Sequence, residues 1–186
     1  IVIPVFIDTE QNAEVALDSS VFKPVWDVVK ALRAHDTELG EQLDELRREM
    51  GRKGGKPTLP SKIHVDVPAS VGKDFINAFE ARLVDATTAP WEFWYGLLEK
   101  YVAEHGTALV PGAFTVGGYR LGRWVIKQRS KRTYGDLSGT RTGLLAKLPG
   151  WSWDTAESRW EEGFEHLTRY VEAHHNTDIP AKYVHE

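Results

Sequence analysis

The amino-acid sequence predicts a mainly α fold whose central part is a compact unit of three helices. Apolar side chains recur at helical spacing through most of the 186 residues, which is the primary signal for amphipathic helices. A stretch of 21 residues also returns once at a constant offset, and such a repeat indicates a supersecondary unit that is used more than once. Only two short stretches resemble β-strands, so we expect strands to contribute little.

The two strand candidates are the apolar run IVIPVFI at residues 1–7 and the alternating run KIHVDV at residues 62–67. The first is rich in β-branched residues and is typical of a strand buried on both faces. The second places Ile63, Val65 and Val67 on one side. Because a two-stranded sheet is marginal on its own, we expect these strands to be what remains of a larger α/β domain lying upstream.

Three amphipathic helices are predicted before the repeat. The first begins near Ser20, and the second begins at Asp36 or the next residue and ends about Met50. The Gly- and Pro-rich segment at residues 51–60 is typical of a loop, and the third helix covers residues 71–86. The predicted inward-facing residues are Phe22, Val25, Trp26, Val29 and Leu32, then Leu39, Leu43 and Leu46, then Phe75, Ala78, Phe79, Leu83 and Val84.

The repeat pairs WEFWYGLLEKYVAEHGTALVP at residues 91–111 with WEEGFEHLTRYVEAHHNTDIP at residues 160–180. Seven positions are identical at a single offset of 69 residues, without a gap. We therefore expect residues 91–159 to hold one complete copy and the chain to stop less than halfway through a second. The identical pairs are Trp91 and Trp160, Glu92 and Glu161, Leu98 and Leu167, Tyr101 and Tyr170, Val102 and Val171, His105 and His174, and Pro111 and Pro180.

Three helices are predicted inside the complete copy. The first covers residues 90–105, with Gly106 as the residue that ends it. The second covers residues 120–132, and the third begins after Ser138 as N-cap and is stopped by Pro149. The predicted inner residues are Trp91, Trp94 or Tyr95, Leu98, Tyr101 and Val102, then Leu121, Trp124 and Val125, then Leu144, Leu145 and Leu148.

Tryptophan is concentrated in the same region of the chain. Trp91 and Trp160 begin the two copies, and we expect both in the core because a small three-helix unit needs large side chains to fill it. Trp151 and Trp153 follow a Pro-Gly pair and are expected to be partly exposed. Stacking of tryptophan on nucleic-acid bases is the alternative interpretation.

Charge is distributed unevenly along the chain. The formal net charge is -4, yet residues 91–159 carry +4 while residues 1–90 and 160–186 each carry -4. The stretch RLGRWVIKQRSKR at residues 120–132 contains six basic residues and no acidic one. The chain has no cysteine, which excludes disulfides, thiolate metal sites and a cysteine nucleophile.

A cationic face follows from the helical spacing of this stretch. On a helical wheel, Arg120, Arg123, Lys127 and Lys131 fall within about 80°, and Gln128 lies beside the apolar face. A solvated basic face is the alternative, but an ordinary surface helix would intersperse acids to form i,i+4 pairs. The pattern therefore favours binding to nucleic-acid phosphates. The candidate nucleic-acid-binding residues are Arg120, Arg123, Lys127, Arg129, Lys131 and Arg132.

Motifs for catalysis or for metal and cofactor binding are absent from the sequence. It contains no G-x-x-x-x-G-K-[ST] loop, no G-x-S-x-G and no H-E-x-x-H. A metal site at His174, His175, Asp178 and His185 is disfavoured because His105 occupies the repeat position of His174 without such companions. We therefore expect no catalytic, metal-binding or cofactor-binding residue in this chain.

These motifs together resemble a known family. The pattern W-x6-L-x2-YV-x2-H-G-x3-VP, then YRLGRWVIKQRSKR, then LPGWSWD before the next WE, is similar to the helicase-associated domain. That module occurs in tandem at the C-terminal end of DEAD/DEAH-box superfamily 2 helicases, particularly in actinobacteria. The stretch SSVFKPVWDVVKALRAHD resembles the connector between helicase core and repeats, and IVIPVFID resembles the last strand of the second RecA-like domain.

The resemblance implies a division of the chain into four parts. Residues 1–19 would be the end of the helicase core, residues 20–88 connector helices, residues 89–157 the first repeat and residues 158–186 a truncated second repeat. The parent protein would be an ATP-dependent helicase that binds ATP and Mg, but the motifs that bind nucleotide are not in this chain. The chain itself is then expected to be a non-enzymatic, cytoplasmic module with no membrane partner.

Two functions are compatible with this interpretation. In the first, the module binds DNA or RNA through the phosphate backbone while the upstream helicase core acts in cis. In the second, it is an interaction or structural module that docks on the helicase core or on an acidic partner. The acidic residues of the second copy, Glu161, Glu162 and Glu165, would then be able to pair with the basic helix of the first.

Overall fold

The fold is mainly α, as predicted. The computed structural model contains seven α-helices and no β-strand among the residues it describes, and none of these helices has the length and apolar character needed to cross a bilayer. Those residues are 1–5, 16–17, 20–68 and 71–178, with side chains between 155 and 166 described only at 156, 160 and 164.

Six of the seven helices follow the predicted segments closely, and the seventh, Thr155–His174, lies at the start of the second copy. Pro90–His105 begins and ends where the sequence predicted, and Thr37–Lys53 continues three residues into the predicted loop before Gly54, at φ 63°, ends it. The helices are α1 (Lys23–His35, preceded by the 3₁₀ turn Ser20–Phe22), α2 (Thr37–Lys53), α3 (Lys73–Thr87), α4 (Pro90–His105), α5 (Leu121–Thr133), α6 (Gly139–Ala146) and α7 (Thr155–His174).

Local capping interactions explain several of these boundaries. The Asp36 carboxylate accepts a hydrogen bond from the backbone N–H of Leu39 at 3.0 Å, and this satisfies one of the free donors at the start of α2. Ser138 accepts from the N–H of Arg141 at the start of α6. Gly106 ends α4 in the left-handed region at φ 73°, where a side chain would be strained. The two caps predicted from the sequence, Gly106 and Ser138, are therefore the ones used, and Asp36 adds a third.

The predicted strands do not form within the described residues. Residue 62 lies in a turn, residues 1–5 and 63–67 belong to no helix and no ladder, and the only bridge in the described chain joins Val116 and Tyr119. The predicted alternation is nevertheless present, since Ile63, Val65 and Val67 are half-buried between exposed neighbours. The segments bury side chains against α1 and α3 without pairing their backbones. Residues 6 and 7 of the first candidate lie outside the described part.

Two hydrophobic clusters organise the described chain. The first is formed mainly by α1, α2 and α3. The second is formed by α4, α5, α6 and the loops between them. Its most deeply buried residues are Leu98, Ala108, Leu121, Val125 and Leu145. The boundary between the two clusters falls at the short link between α3 and α4.

Helices α2 and α4 join the two clusters by a close backbone approach. A Cβ on Gly51 would overlap the carbonyl oxygen of Phe93, and a Cβ on Gly96 would overlap that of Arg48. Only glycine therefore fits where the two helices touch.

Charged pairs flank this helix crossing. Arg48 Nε donates to Glu92 Oε2 at 2.7 Å, and Arg52 lies 3.6 Å from Glu99. Burial raises the pKa of Glu99, and burial together with the Glu99 charge raises the pKa of Tyr95 to about 12. The crossing is thus both tightly packed and polar, and it fixes α4 against the preceding helices.

Candidate nucleic-acid interface

Helix α5 begins directly after a tight two-residue turn. The backbones of Val116 and Tyr119 exchange hydrogen bonds of 3.0 and 2.8 Å, while Gly117 and Gly118 have φ of 54° and 82°. Positive φ at both central residues is what a two-residue hairpin loop requires. A Cβ on Gly122 would overlap the carbonyl oxygen of Pro111. The start of α5 is therefore held in a fixed position against the preceding loop.

The inner side of α5 is anchored by apolar contacts and one polar pair. Leu121 and Val125 are completely buried. Gln128 is 3% exposed, accepts from Trp91 Nε1 at 3.0 Å and donates to the carbonyl of Trp124 at 3.3 Å. The expectation that Gln128 lies on the apolar side is confirmed, so its amide is committed to the core.

The outer side of α5 presents the predicted cations to solvent. Arg120, Arg123 and Lys127 are exposed and Lys131 is half-buried. In the part of the chain that the structure describes, none of these four side chains forms an ion pair. We call these four residues the cationic face.

Several exposed cations earlier in the chain behave differently. Lys23 pairs with Asp27, Lys53 pairs with Glu49 at 2.8 Å, and Lys62 lies 2.8 Å from a carboxylate oxygen of Asp36. The charges of the cationic face are therefore not neutralised as these are, and repulsion among them remains for an anion to relieve.

Two of the six candidate residues have aromatic partners within the protein. The Arg129 guanidinium lies 4.9 Å from the ring centre of Trp151, and its Nε donates to the carbonyl of Ser152 at 2.8 Å. Arg132 lies 4.4 Å from the ring centre of Trp153. These cation–π contacts hold the segment that follows α6 against α5. Trp151 and Trp153 are half-buried, as predicted.

The six basic residues thus divide by the side of the helix they occupy. Arg120, Arg123, Lys127 and Lys131 face outward, whereas Arg129 and Arg132 contact residues 151–153, which we call the tryptophan segment. The sequence could predict this distinction, because on a helical wheel Arg129 and Arg132 fall outside the arc that holds the other four.

An exposed tyrosine at the end of α5 was not predicted from the sequence. Tyr134 is 81% exposed. The backbone N–H of Gly135 donates to the carbonyl of Arg132 at 3.0 Å, and that of Asp136 donates to the carbonyl of Lys131 at 2.8 Å. With Gly135 at φ 77° this is a Schellman-type helix end. The sequence signal that could have identified Tyr134 is its helical spacing, which places it in line with Arg123 and Lys127.

The start of α7 differs from that of α4, although both carry the same repeat position. Trp91 is buried and stacks on Tyr95 with ring centres 5.0 Å apart. Trp160 stacks on Phe164 at 5.2 Å, but the two are 68% and 54% exposed. The expectation that Trp160 lies in the core is therefore wrong, because no described residues cover α7 as α5 and α6 cover α4.

The histidines near the end of α7 do not assemble a metal site in the described residues, where no group of three or more potential ligands occurs. His174 stacks on Tyr170 with ring centres 4.2 Å apart. His175 has φ 55° and its N–H bonds the carbonyl of Val171, as a helix end requires. His185 lies outside the described residues, as do the side chains of Glu161, Glu162 and Glu165.

The geometry describes a small all-α module that exposes one unpaired cationic face. Residues 88–154 of this module match the family model of the helicase associated domain. The match spans α4, α5 and α6 and ends just after the tryptophan segment. This part of the chain is therefore a helicase-associated region. Comparisons with curated proteins and with solved structures found no match.

Proposed function

We propose that this chain is a nucleic-acid-binding part of an ATP-dependent DEAD/DEAH-box-type helicase. In this proposal the helicase-associated region binds DNA or RNA phosphates through Arg120, Arg123, Lys127 and Lys131, while an upstream helicase core in cis binds ATP and Mg. The observation that carries the proposal is the exposed cationic face without ion pairs in the described chain. Helicase association of residues 88–154 supports the setting.

The electrostatics of the face favour a polyanion over a small ligand. Along α5 and its N-cap residue the four cations spread over three turns, about 17 Å at 1.5 Å per residue. A duplex presents a phosphate every 3.4 Å along each strand, so several phosphates come within reach. Lysine and arginine that contact phosphates give affinity without sequence preference. The module would then hold nucleic acid for the motor and would not select a sequence.

Tandem use of the module is part of the proposal. The ends of α4 and α7 support it, since Tyr101 and His105 pack with ring centres 4.2 Å apart, as Tyr170 and His174 do. Both pairs lie at the offset of 69 residues found in the sequence. A second unit that begins at α7 would add a second phosphate-binding surface and so increase affinity through multivalency.

The test is a salt titration of nucleic-acid binding by the full 186-residue chain. Labelled DNA and RNA oligonucleotides are titrated by fluorescence anisotropy at several salt concentrations. If four phosphates are neutralised, affinity should fall roughly a hundredfold between 50 and 200 mM salt. The double variant Arg123→Glu with Lys127→Glu should abolish most binding at low salt.

A matched control separates local contacts from net charge. Lys23→Glu with Lys30→Glu on α1 makes the same change in net charge at exposed positions far from α5 in sequence. It should leave affinity nearly unchanged. Equal loss in both double variants, or no loss in the α5 variant, would refute phosphate binding by the cationic face.

A second candidate function is docking on an acidic protein surface. The cationic face favours it, because four exposed or half-buried cations without ion pairs in the described chain also fit a surface rich in Asp and Glu. Polyglutamate is the discriminating ligand in the same assay. Stronger binding of polyglutamate than of any oligonucleotide at equal salt would favour this candidate.

A further inference from the structure

Tyr134, the C-cap residue of α5, is an exposed aromatic side chain that the phosphate contacts do not use. It is 81% exposed, and within the described residues its ring contacts no other aromatic ring and its hydroxyl forms no hydrogen bond. A single exposed aromatic residue is ordinary on a protein surface. Its position relative to the cations is what distinguishes this one.

Tyr134 lies in line with the centre of the cationic face. At 100° per residue, Tyr134 falls about 20° from Arg123 and about 20° from Lys127 around the helix axis. Tyr134 directly follows Thr133, the last helical residue, as the C-cap, so its Cα still follows the helix and this angular position holds at the helix end. The ring therefore continues the row that Arg123 and Lys127 begin.

The hydrogen bonds at the helix end also fix the position of the Tyr134 backbone, from which the ring projects. The hydrogen bonds from Gly135 to Arg132 and from Asp136 to Lys131 close the last turn around Tyr134. A ring on an ordered backbone loses less conformational freedom on binding than one on a loose loop. Asp136 is exposed just beyond it, and its carboxylate disfavours phosphate there. A strand would therefore run from Tyr134 back toward Arg123.

A ring beside a row of cations matches one chemical feature of nucleic acids. Single-strand-binding surfaces combine positive charge that follows the backbone with aromatic side chains on which bases stack. In a duplex the base faces are covered by neighbouring bases, so only an unpaired strand offers them. The combination selects strandedness, which phosphate contacts alone do not.

We propose that Tyr134 is a base-stacking residue and that the cationic face with Tyr134 prefers single-stranded DNA or RNA over duplex. The proposal rests on the proposed function, because Arg123 and Lys127 must hold the backbone for a base to reach the ring. Arg129 and Arg132 take no part, since their guanidinium groups lie over Trp151 and Trp153.

The experiment compares three ligands of equal length on the full chain: a single strand, its duplex, and a single strand with an abasic tract. DNA and RNA versions of the first two show which sugar is preferred. Wild-type protein should bind the single strand more tightly than the abasic strand. Tyr134→Ala should weaken single-strand binding about tenfold and leave duplex and abasic binding unchanged.

Two further variants make the result specific. Tyr134→Phe keeps the ring and should retain wild-type affinity and the preference for bases over abasic sites. Phe164→Ala removes another exposed ring, on α7, and should have no effect. Circular dichroism and thermal unfolding should be the same for all three variants, because both positions are largely exposed.

The outcomes separate this proposal from the broader one. If Tyr134→Ala leaves single-strand binding unchanged, or weakens duplex binding equally, base stacking is refuted. Loss of all binding in the Arg123→Glu, Lys127→Glu variant would still support phosphate binding in that case. Equal affinity of the wild-type protein for normal and abasic strands would also overturn the stacking role.

Discussion

At the residue scale, the hydrogen bond between Trp91 and Gln128 links the first two helices of the helicase-associated region. Trp91 Nε1 donates to Gln128 Oε1 at 3.0 Å, and both side chains are buried. A buried indole N–H without an acceptor is costly, so the polar residue on the inner side of α5 has a structural reason. Because the Gln128 amide is buried and bound to Trp91, it is not available to contact a base edge.

Replacing Gln128 by leucine should destabilise the protein. The substitution keeps a side chain of similar volume but leaves the Trp91 N–H without its acceptor, at a cost of roughly 1–3 kcal/mol. Urea unfolding followed by circular dichroism measures the change. Lys127→Leu, at the neighbouring exposed position, is the control and should alter the free energy of unfolding by less than about 0.5 kcal/mol. An equal effect of both would contradict a specific role for the hydrogen bond.

Part of the candidate interface was predictable from the sequence, and the reason is geometric. Helical spacing placed Arg123 and Lys127 outward and Gln128 inward, because a side chain's direction on a helix follows from its number alone. Arg129 and Arg132 were less predictable as binding residues. Their partners, Trp151 and Trp153, come from a loop that folds back over α5, and such a long-range contact leaves no local periodicity.

At the scale of the elements, the helices were predictable because their signals are local. Apolar spacing and the caps at Asp36, Gly106 and Ser138 lie within a few residues of the boundaries they set. The strands were not, since pairing depends on a partner elsewhere in the chain. The alternation at residues 62–67 was interpreted correctly as burial and wrongly as a strand. The close crossing of α2 and α4 was not predicted either, because a glycine within a helical pattern can indicate a C-cap or a close packing contact, and the sequence alone does not distinguish them.

The crossing of α2 and α4 predicts a large effect from a small substitution. Gly96→Ala places a Cβ against the backbone of Arg48, which has no flexible side chain to move aside. Overpacking of this kind costs roughly 1–3 kcal/mol, despite the better helix propensity of alanine. The free energy of unfolding in urea measures it.

The matched control for this substitution lies on another helix. Gly143 in α6 has no atom within 4 Å of an added Cβ. Gly143→Ala should therefore be stabilising by about 0.5–1 kcal/mol, as expected for a helix interior. Gly96→Ala with a stability equal to or above that of the wild type would show that α2 and α4 do not approach as closely as the structure indicates.

At the scale of the whole molecule, two stretches of similar sequence have different surroundings. Trp91 begins α4 and is covered by Trp124 of α5 and by Arg141 of α6, whose guanidinium lies 5.0 Å from its ring centre. Trp160 holds the same repeat position in the second turn of α7 and is 68% exposed. The spacing of apolar residues in an amphipathic helix predicts which side is suited to burial, but not which residues cover that side. The repeat in the sequence therefore predicted the burial of Trp91 correctly and that of Trp160 wrongly.

This difference predicts opposite results for one substitution made at two equivalent positions. Trp91→Ala removes a core side chain and should lower the free energy of unfolding by about 3–5 kcal/mol. Trp160→Ala removes a ring that is already in water and should change it by less than about 0.5 kcal/mol. Urea unfolding followed by far-ultraviolet circular dichroism avoids the loss of a fluorescence reporter. Similar losses in both variants would mean that the side of α7 that carries Trp160 is packed in solution, since only a covering partner gives an exposed tryptophan the energetic weight of a core residue.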